Sequence, residues 1–241
     1  MKLRDESHQL LSDPRFTTEF TCRDLVDSFE GKLPTSILAG EVLVNYKDVK
    51  RFGVCLSEVQ RYNCGVLINP DARSGSAILQ IYQKQALVPI YEYIPNFPGI
   101  HQLVALAAPS FRSSQCSPGA GYASMELSTR AGLKLIDVAI CYESWLPWLD
   151  QFSHRANGEV IVHLAYDGEF SASPGYAERL VSVIRMRAIE TRKWQVLCST
   201  WSGSCVVAPN GSVCKRLPAI PGVLVMQAGE LPHSGSVYSG N

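Results

Sequence analysis

The sequence has no apolar run that is long enough to cross a membrane. Its longest apolar stretches, residues 100–109 and 223–228, are much shorter than the roughly 18 to 20 residues of a membrane-spanning helix. The first residues, MKLRDESHQL, are charged and lack the apolar core of a secretory signal. We therefore expect this chain, taken by itself, to be soluble.

Net charge and paired cysteines are also missing. Lysine plus arginine and aspartate plus glutamate number 22 each, so no net field favours nucleic acid or an anionic surface. None of the eight cysteines forms a C-x-x-C pair and the five histidines are scattered, which argues against a zinc site. We predict no metal, no cofactor and no nucleic-acid partner, and we interpret most of the cysteines as packing residues.

Linkers, internal repeats and low-complexity tracts are absent too. With 241 residues and 46% hydrophobic content the chain can bury one large core, and we interpret residues 1–241 as a single domain. Strand-like runs alternate with helical ones, which predicts an α/β fold. The predicted strands are residues 36–43, 63–68, 77–82, 135–142, 159–164, 195–199, 205–208 and 223–227.

Two helices and a hairpin are predicted between and after these strands. The clearer helix covers residues 173–191, where Ser173 can cap the first turn and an apolar residue recurs every four positions. A second helix is predicted over residues 145–155. The segment PNGS at residues 209–212 predicts a two-residue β-hairpin turn.

Two reactive side chains stand near the ends of predicted strands. Cys141 lies in LIDVAICYES, where the pattern changes from strand-like to helical, so its thiol would be exposed at the edge of the sheet. Lys84 lies in QIYQKQALVPIYEYIP, eight residues before Glu92. An ammonium beside a thiol favours the thiolate and can hold a developing oxyanion. Taken singly, each residue also has an ordinary interpretation, a buried packing cysteine and a surface lysine.

The two segments together resemble the lysine and cysteine motifs of the nitrilase superfamily. In the apolipoprotein N-acyltransferases the first motif is similar to K-x-x-L-V-P-F-G-E-Y-x-P. Three later segments are similar in family order: HLAYDGEF to N-D-x-W-F, RMRAIETRKW to R-A-I-E-x-x-R, and SGSCVVAPNGSV to G-x-S-x-x-x-x-x-x-G. The residues that match the lysine motif are Lys84, Leu87, Val88, Pro89, Glu92, Tyr93 and Pro95.

This resemblance implies a fold and a catalytic triad. The fold is a nitrilase-like four-layer α-β-β-α sandwich. The triad is Glu-Lys-Cys, in which the glutamate is the general base, the lysine holds the oxyanion and the cysteine forms a thioester. Lys84 and Cys141 match the lysine and the nucleophile, and we expect them at neighbouring strand ends. Glu92, Tyr142 and Glu143 match supporting residues.

The triad glutamate is assigned to Glu6 by its order and distance before Lys84, with Glu19 as the alternative. The resemblance then implies that the first strands of the fold, which should precede Glu6, are missing. The end of the chain, SVYSGN, resembles the segment just before the last membrane helix of the family. We therefore expect a domain that is truncated at both ends.

The sequence departs from the family pattern at three positions. Tyr166 stands where an asparagine is expected, Glu169 where a tryptophan is expected, and Tyr91 where a glycine is expected. These changes affect the lining of the pocket more than the triad.

Three functions follow from these patterns. The resemblance implies N-acyl transfer in lipoprotein biosynthesis, in which a phospholipid acyl chain passes to Cys141 and then to the amine of a lipoprotein N-terminus. The second is a soluble amidase or nitrilase, in which water takes the acyl group of a small amide or nitrile. The third is an inactive fragment that acts as a binding or structural module. As part of a full-length transferase, the domain would face the periplasm from the inner membrane.

Overall fold

The computed structural model describes residues 36–51, 54–70, 77–95, 97, 99, 115–129, 132–146, 158–170 and 173–217. The chain forms two compact units, residues 1–133 and 134–241. The first unit contains the strands β1 (Ile37–Arg51), β2 (Val54–Pro70), β3 (Ala77–Gln83) and β4 (Met125–Thr129). The second contains β5 (Gly132–Ile140), which starts at its border, a 3₁₀ helix (Cys141–Trp145), β6 (Val160–Ala165), a 3₁₀ helix (Gly168–Phe170), α1 (Tyr176–Thr191), β7 (Trp194–Ser199), β8 (Cys205–Val207) and β9 (Val213–Arg216).

The first unit is built on an antiparallel sheet in the order β1-β2-β3. Its pairing runs from Ile37 opposite Ile68 to Arg51 opposite Val54, and β3 pairs along the second half of β2. The consecutive residues 64–68 of β2 are all buried, as expected for a strand that is covered on both faces. This places the end of β3, and Lys84 directly after it, beside a buried strand.

Strand β4 is held to this sheet by two side-chain amides. Asn69 donates to the carbonyl oxygen of Glu126 at 2.6 Å and accepts from the N–H of Ser128 at 3.2 Å. Gln80 donates to the same carbonyl at 2.8 Å and accepts from the N–H of Glu126 at 2.7 Å. Each amide therefore satisfies a backbone donor and acceptor as a neighbouring strand would.

The second unit contains a mixed sheet in which β5, β6, β7, β8 and β9 follow in spatial order. Strands β5, β6 and β7 are parallel, whereas β8 and β9 are antiparallel to their neighbours. Helix α1 covers one face through its predicted apolar stripe. The buried cluster comprises Ala165, Leu180, Val181, Ile184, Ala188, Leu197, Cys205 and Val207, with Trp145 and Tyr176 packed against it.

The predicted elements are largely present, with different ends. The helix begins at Tyr176 instead of Ser173, because Gly175 adopts a left-handed φ of 70° and interrupts the helical backbone before it. Strands β1 and β2 are longer than predicted, and β4 and β9 were not predicted. The strand predicted at 223–227 and most of the helix predicted at 145–155 lie outside the described residues. None of the helices in the described ranges is long and apolar enough to span a bilayer.

The predicted hairpin between β8 and β9 is present, but the expectation of a two-residue turn was wrong. The N–H of Gly211 donates to the carbonyl of Ala208 at 2.8 Å, and the N–H of Ala208 donates to the carbonyl of Ser212 at 2.9 Å. Gly211 has a φ of 81°, and a Cβ at this position would lie 2.7 Å from the side chain of Ile189 on α1. The glycine is therefore needed both for the turn and for the close approach of the helix.

Among the described cysteines, the packing interpretation fits Cys64 and Cys205, which are fully buried. Burial raises the pKa of the Cys205 thiol to about 11, so this thiol is unreactive at neutral pH. Cys214 is exposed instead. The interpretation of the whole chain as one domain stays a prediction.

Candidate active site

Lys84 is the largest fully buried side chain of the described residues, and its charge is met by a carboxylate. It is 1% exposed, and its Nζ lies 2.8 Å from Oε1 and 2.7 Å from Oε2 of Glu92. A buried ammonium without a partner would be strongly unfavourable. The eight-residue spacing noted in the sequence therefore corresponds to a direct ion pair.

The carboxylate of Glu92 is engaged on both oxygens. Besides Lys84, Oε1 accepts from the side-chain amide of Asn63 at 3.1 Å, and Oε2 accepts from the N–H of Val88 at 2.7 Å. The N–H of Glu92 in turn donates to the carbonyl of Val88 at 2.8 Å. These bonds fix the carboxylate in one orientation, which suits a group that positions Lys84 more than one that accepts a proton.

The loop that carries Glu92 is a tight and strained turn. Ile90, inside it, has a φ of 67°, which is rare for a β-branched residue, and its N–H donates to the carbonyl of Tyr93 at 2.7 Å. The loop at residues 116–122 packs on the same segment, because Gly119 donates to the carbonyl of Lys84 at 2.9 Å. A Cβ at Gly119 would lie 2.6 Å from the carbonyl oxygen of Gln83, so only glycine fits there.

The thiol of Cys116 lies close enough to the Lys84–Glu92 ion pair for both charges to affect its pKa. Burial raises the pKa of Cys116, and the charge of Glu92 raises it further, while Lys84 and Arg61 lower it to a smaller extent. A raised pKa disfavours the thiolate, which is the nucleophilic form of cysteine. Cys116 is therefore a poor nucleophile despite its neighbours.

Cys141 follows the last residue of β5 and has a left-handed backbone. Its φ is 51°, which costs a non-glycine residue about 1–2 kcal/mol. It is the first residue of the 3₁₀ helix Cys141–Trp145, named here the Cys141 turn, and its side chain is partly exposed. A strained turn between strand and helix also presents the nucleophile of α/β-hydrolases at the edge of their sheet.

Three groups hold the Cys141 turn in place. The buried carboxylate of Glu143 accepts from the N–H of Ile140 at 2.7 Å, and the carbonyl of Glu143 accepts from the N–H of Leu146 at 3.2 Å. The hydroxyl of Ser144 lies 2.8 Å from Nδ1 of His163 on β6. Trp145 packs against the core under α1. The strained backbone persists because several neighbouring contacts determine it.

Aromatic side chains surround this edge of the sheet. Tyr176 packs against Trp145 with ring centroids 6.1 Å apart and stacks on Phe170 at 4.9 Å. Burial raises the pKa of Tyr176 to about 12, with further contributions from the charges of Cys141 and Asp167. The phenol therefore lies within electrostatic range of Cys141. The most exposed aromatic residues after β6 and β7 are Tyr166 at 71%, Trp201 at 58% and Phe170 at 46%.

Asp167, which directly follows Tyr166, organises the loop between β7 and β8. Its carboxylate accepts from Ser199 Oγ at 2.8 Å, Thr200 Oγ1 at 3.1 Å, and the backbone N–H groups of Trp201 at 2.9 Å and Ser202 at 3.1 Å. Burial alone would raise the pKa of Asp167, but these donors outweigh it and hold the pKa below its usual value. The charged form of Asp167 therefore ties the ends of β6 and β7 together.

The structure brings together some of the predicted residues. Glu92 contacts Lys84, and Tyr142 and Glu143 share the turn of Cys141. Lys84 and Cys141 belong to different units, so their meeting in one site stays a prediction. Of the three departures from the family pattern, Tyr166 and Tyr91 are exposed, and the side chain of Glu169 lies outside the described parts. The triad glutamate, Glu6 or Glu19, also lies outside the described residues.

Sequence reasoning placed His163 and Asp167 in a segment that resembles a family motif, but it assigned no role to them or to Ser144. Two of them left a signal, because V-I-V-H-L-A-Y-D places a histidine inside an apolar strand and an aspartate after its end. Buried polar groups at such places need partners and are often functional. The identity of those partners depends on contacts between strands that are distant in sequence.

Curated proteins of similar sequence match part of this chain. Apolipoprotein N-acyltransferase 2 of Treponema denticola is 29% identical over 166 residues, which are 66% of this chain and 30% of that protein. The apolipoprotein N-acyltransferase of Nostoc sp. is 31% identical over 138 residues, 57% of this chain and 26% of that protein. This chain therefore spans less than a third of the length of these curated relatives.

Two solved structures are similar to parts of this chain at low scores. Nit3 of Saccharomyces cerevisiae, a member of branch 10 of the nitrilase superfamily, covers 66% of this chain and 50% of its own with a TM-score of 0.44 and 19% identity. An amidase of Nesterenkonia from the nitrilase superfamily covers 89% of this chain and 69% of its own with a TM-score of 0.47 and 16% identity.

The sequence profile of the carbon-nitrogen hydrolase family matches residues 50–227, which is most of the chain and includes Lys84, Glu92, Cys141 and Asp167. The predicted α/β fold is confirmed by this match together with the mixed sheet and its covering helix. This chain belongs to the carbon-nitrogen hydrolase family and has a nitrilase-like α/β fold.

Proposed function

We propose that this chain is the catalytic part of an N-acyltransferase that works through a thioester on Cys141. The observation that carries the proposal is the Cys141 turn, a strained turn at the carboxyl end of a parallel strand that presents a partly exposed thiol. The curated relatives named apolipoprotein N-acyltransferase favour acyl transfer among the reactions of the family.

The reaction has two steps. In the first, the thiolate of Cys141 attacks the carbonyl carbon of an acyl ester; the new C–S bond forms, the C–O bond breaks, and the thiol proton passes through the general base to the leaving alcohol. In the second, the amine of a lipoprotein N-terminus attacks the thioester; the C–N bond forms, the C–S bond breaks, and an amine proton passes through the general base to the leaving thiolate, which restores the thiol. The acyl donor is a phospholipid, and the acceptor is the lipoprotein amine.

The proposed roles of the described residues follow from their surroundings, and the assignment of the general base follows from the family resemblance. Lys84, held by Glu92, supplies positive charge for the oxyanion, because its bonds to Glu92 use at most two of its three hydrogens. Glu6 is the general base, with Glu19 as the alternative, since the hydrogen bonds on both oxygens of Glu92 disfavour it as the base. Tyr142 and Glu143 shape the turn that holds Cys141.

The aromatic surroundings of Cys141 support an apolar acyl group as substrate. Exposed aromatic side chains are a feature of surfaces that bind apolar ligands or contact lipid headgroups. Tyr166, Phe170 and Trp201 lie after the carboxyl ends of β6 and β7, the same edge at which β5 ends in Cys141. We place the domain at the periplasmic face of the inner membrane within a longer transferase.

The experiment that tests this function is acyl-enzyme formation. The purified chain is mixed with phospholipid vesicles that carry an alkyne-tagged acyl chain, and peptides are analysed by mass spectrometry. We expect the tag on Cys141, and a loss of labelling on the order of 10⁴-fold or more for Cys141→Ala. Cys214→Ala is the matched control, because Cys214 is exposed and remote from this turn in sequence. Labelling of another cysteine while Cys141 stays unmodified would contradict the proposal.

Hydrolysis is the second candidate, because the family that matches the chain is named for carbon-nitrogen hydrolysis. Adding a lipopeptide with a free N-terminal amine to the labelled enzyme separates the two. Transfer predicts that the tag moves to the peptide, and hydrolysis predicts free acid at a rate that the peptide does not change. In the same assay, Glu6→Gln and Glu19→Gln decide which carboxylate is the base.

A further inference from the structure

Three buried polar side chains form a continuous chain behind the Cys141 turn. Ser144 Oγ lies 2.8 Å from Nδ1 of His163, and Nε2 of His163 lies 2.6 Å from Oε1 of Gln195. All three residues are at most 1% exposed. They belong to the turn, to β6 and to β7, so the chain crosses from the nucleophile-bearing segment into the middle of the sheet.

The direction of these hydrogen bonds is fixed by the far end of the chain. The side-chain amide of Gln195 donates to Thr191 Oγ1 at 2.9 Å and to the carbonyl of Lys193 at 3.1 Å. Its oxygen therefore faces His163 and accepts the hydrogen on Nε2. In a neutral imidazole Nδ1 is then an acceptor, and it accepts from the hydroxyl of Ser144.

The geometry points to Ser144 and His163 as positioning residues that hold Cys141 in its left-handed conformation, with Gln195 selecting the histidine tautomer. Ser144 lies three residues after Cys141 in the same short turn, so a fixed hydroxyl at Ser144 limits the backbone angles available to Cys141. That Cys141 is the nucleophile rests on the function proposed above. The inference that the hydrogen bonds of Ser144 and His163 orient Cys141 does not depend on that function.

The amides asparagine and glutamine separate this role from simple packing. Asparagine at position 163 can place an oxygen where Nδ1 now accepts from Ser144, whereas glutamine reaches the position of Nε2 and leaves Ser144 without its acceptor. Both variants are neutral and polar, and glutamine is closer to histidine in volume because it has one more methylene than asparagine. A role in packing alone therefore predicts that glutamine is tolerated at least as well as asparagine, and a role in orienting the turn predicts the opposite order.

The test measures the reactivity of Cys141 towards iodoacetamide in the whole chain, with each cysteine followed by peptide mass spectrometry. We expect alkylation of Cys141 to be slowed about 10- to 100-fold in His163→Gln and in Ser144→Ala, and to be largely retained in His163→Asn. Cys214 should react equally in all of these proteins. Equal rates at Cys141 in His163→Asn and His163→Gln, or no reaction in either, would overturn the proposal.

A second measurement is made on the wild-type chain, in which the signals of His163 are assigned among those of the five histidines by comparison with His163→Asn. Nitrogen-15 NMR of labelled histidine in the wild-type chain should show the neutral His163 ring with its hydrogen on Nε2, and the opposite tautomer would also overturn the proposal. Neither measurement uses an acyl donor. A protein that failed the acylation assay but passed these tests would disprove the proposed function and leave the positioning role standing.

Discussion

The segments around Lys84 and Cys141 hold their key side chains in different ways. Lys84 is buried with its charge balanced by the charge of Glu92. The Cys141 turn is held by the carboxylate of Glu143 on a backbone N–H and by neutral hydrogen bonds through His163. Both segments include a left-handed residue that is not glycine, Ile90 and Cys141. The first is thus sensitive to the loss of one charge, and the second to the direction of neutral hydrogen bonds.

The largest effect on stability should come from Glu92→Gln. This change keeps the size of the side chain but leaves the ammonium of Lys84 buried without its counter-charge. We expect the free energy of unfolding, measured with urea, to fall by about 3–5 kcal/mol. The matched control is Glu159→Gln in the exposed pair with Lys134, where the same change should cost less than about 1 kcal/mol. Equal losses in the two variants would show that burial of the pair does not matter.

The second prediction concerns the segment around Cys141, where His163 should make the free energy of unfolding depend on pH. Burial lowers the pKa of His163 to about 4, below the usual 6.5, and the charge of Arg187 acts in the same direction, while the bond to Gln195 opposes it. The unfolded chain therefore binds more protons than the folded chain between these values. The contribution of neutral His163 to the free energy of unfolding is therefore complete above about pH 6.5, and it is lost as the pH falls towards about 4.

This contribution should be about 3 kcal/mol over the whole window, of which about 2 kcal/mol is lost between about pH 6.5 and about pH 5. Urea unfolding of the wild type and of His163→Asn at these two pH values measures it. The variant lacks the titrating ring, so between these two pH values its free energy of unfolding should fall by about 2 kcal/mol less than that of the wild type. A parallel decline in both proteins would rule out His163 as the source.

The smallest effect tests the backbone strain that the two segments share. At an ordinary position glycine is less stable than alanine by roughly 0.5–1 kcal/mol. At a φ of 51° the order should reverse, so that Cys141→Gly is more stable than Cys141→Ala by about 1 kcal/mol. The pair Ile90→Gly and Ile90→Ala should show the same reversal in thermal unfolding. An ordinary order at Cys141 would mean that its turn is not strained.

The sequence predicted the elements better than the contacts between them. The apolar spacing of α1 and the β-rich runs of β3, β6 and β7 were sufficient to predict them, since local pattern determines such elements. Strand β4 was missed because M-E-L-S-T is short and polar, and it is held by the amides of Asn69 and Gln80 from other strands. The match to a motif selected Lys84 and Glu92 but did not predict the ion pair between them. The hydrogen bonds that link Ser144, His163 and Gln195 depend on a strand register that no local pattern encodes.

The contacts of Gly211 with α1 link the packing of the helix to that of the β8–β9 hairpin in the second unit. The turn at Gly211 rests on the side chain of Ile189, and the carbonyl oxygen of Gly211 accepts from Nε of Arg185 at 2.8 Å, so the hairpin and the last turns of α1 share one contact surface. Strand β8, paired with β7, contributes to the core under the same helix. The register of the β8–β9 hairpin and the rotation of α1 about its axis are therefore set together. A shift of either one alone would break the contacts of Gly211 with Ile189 and Arg185.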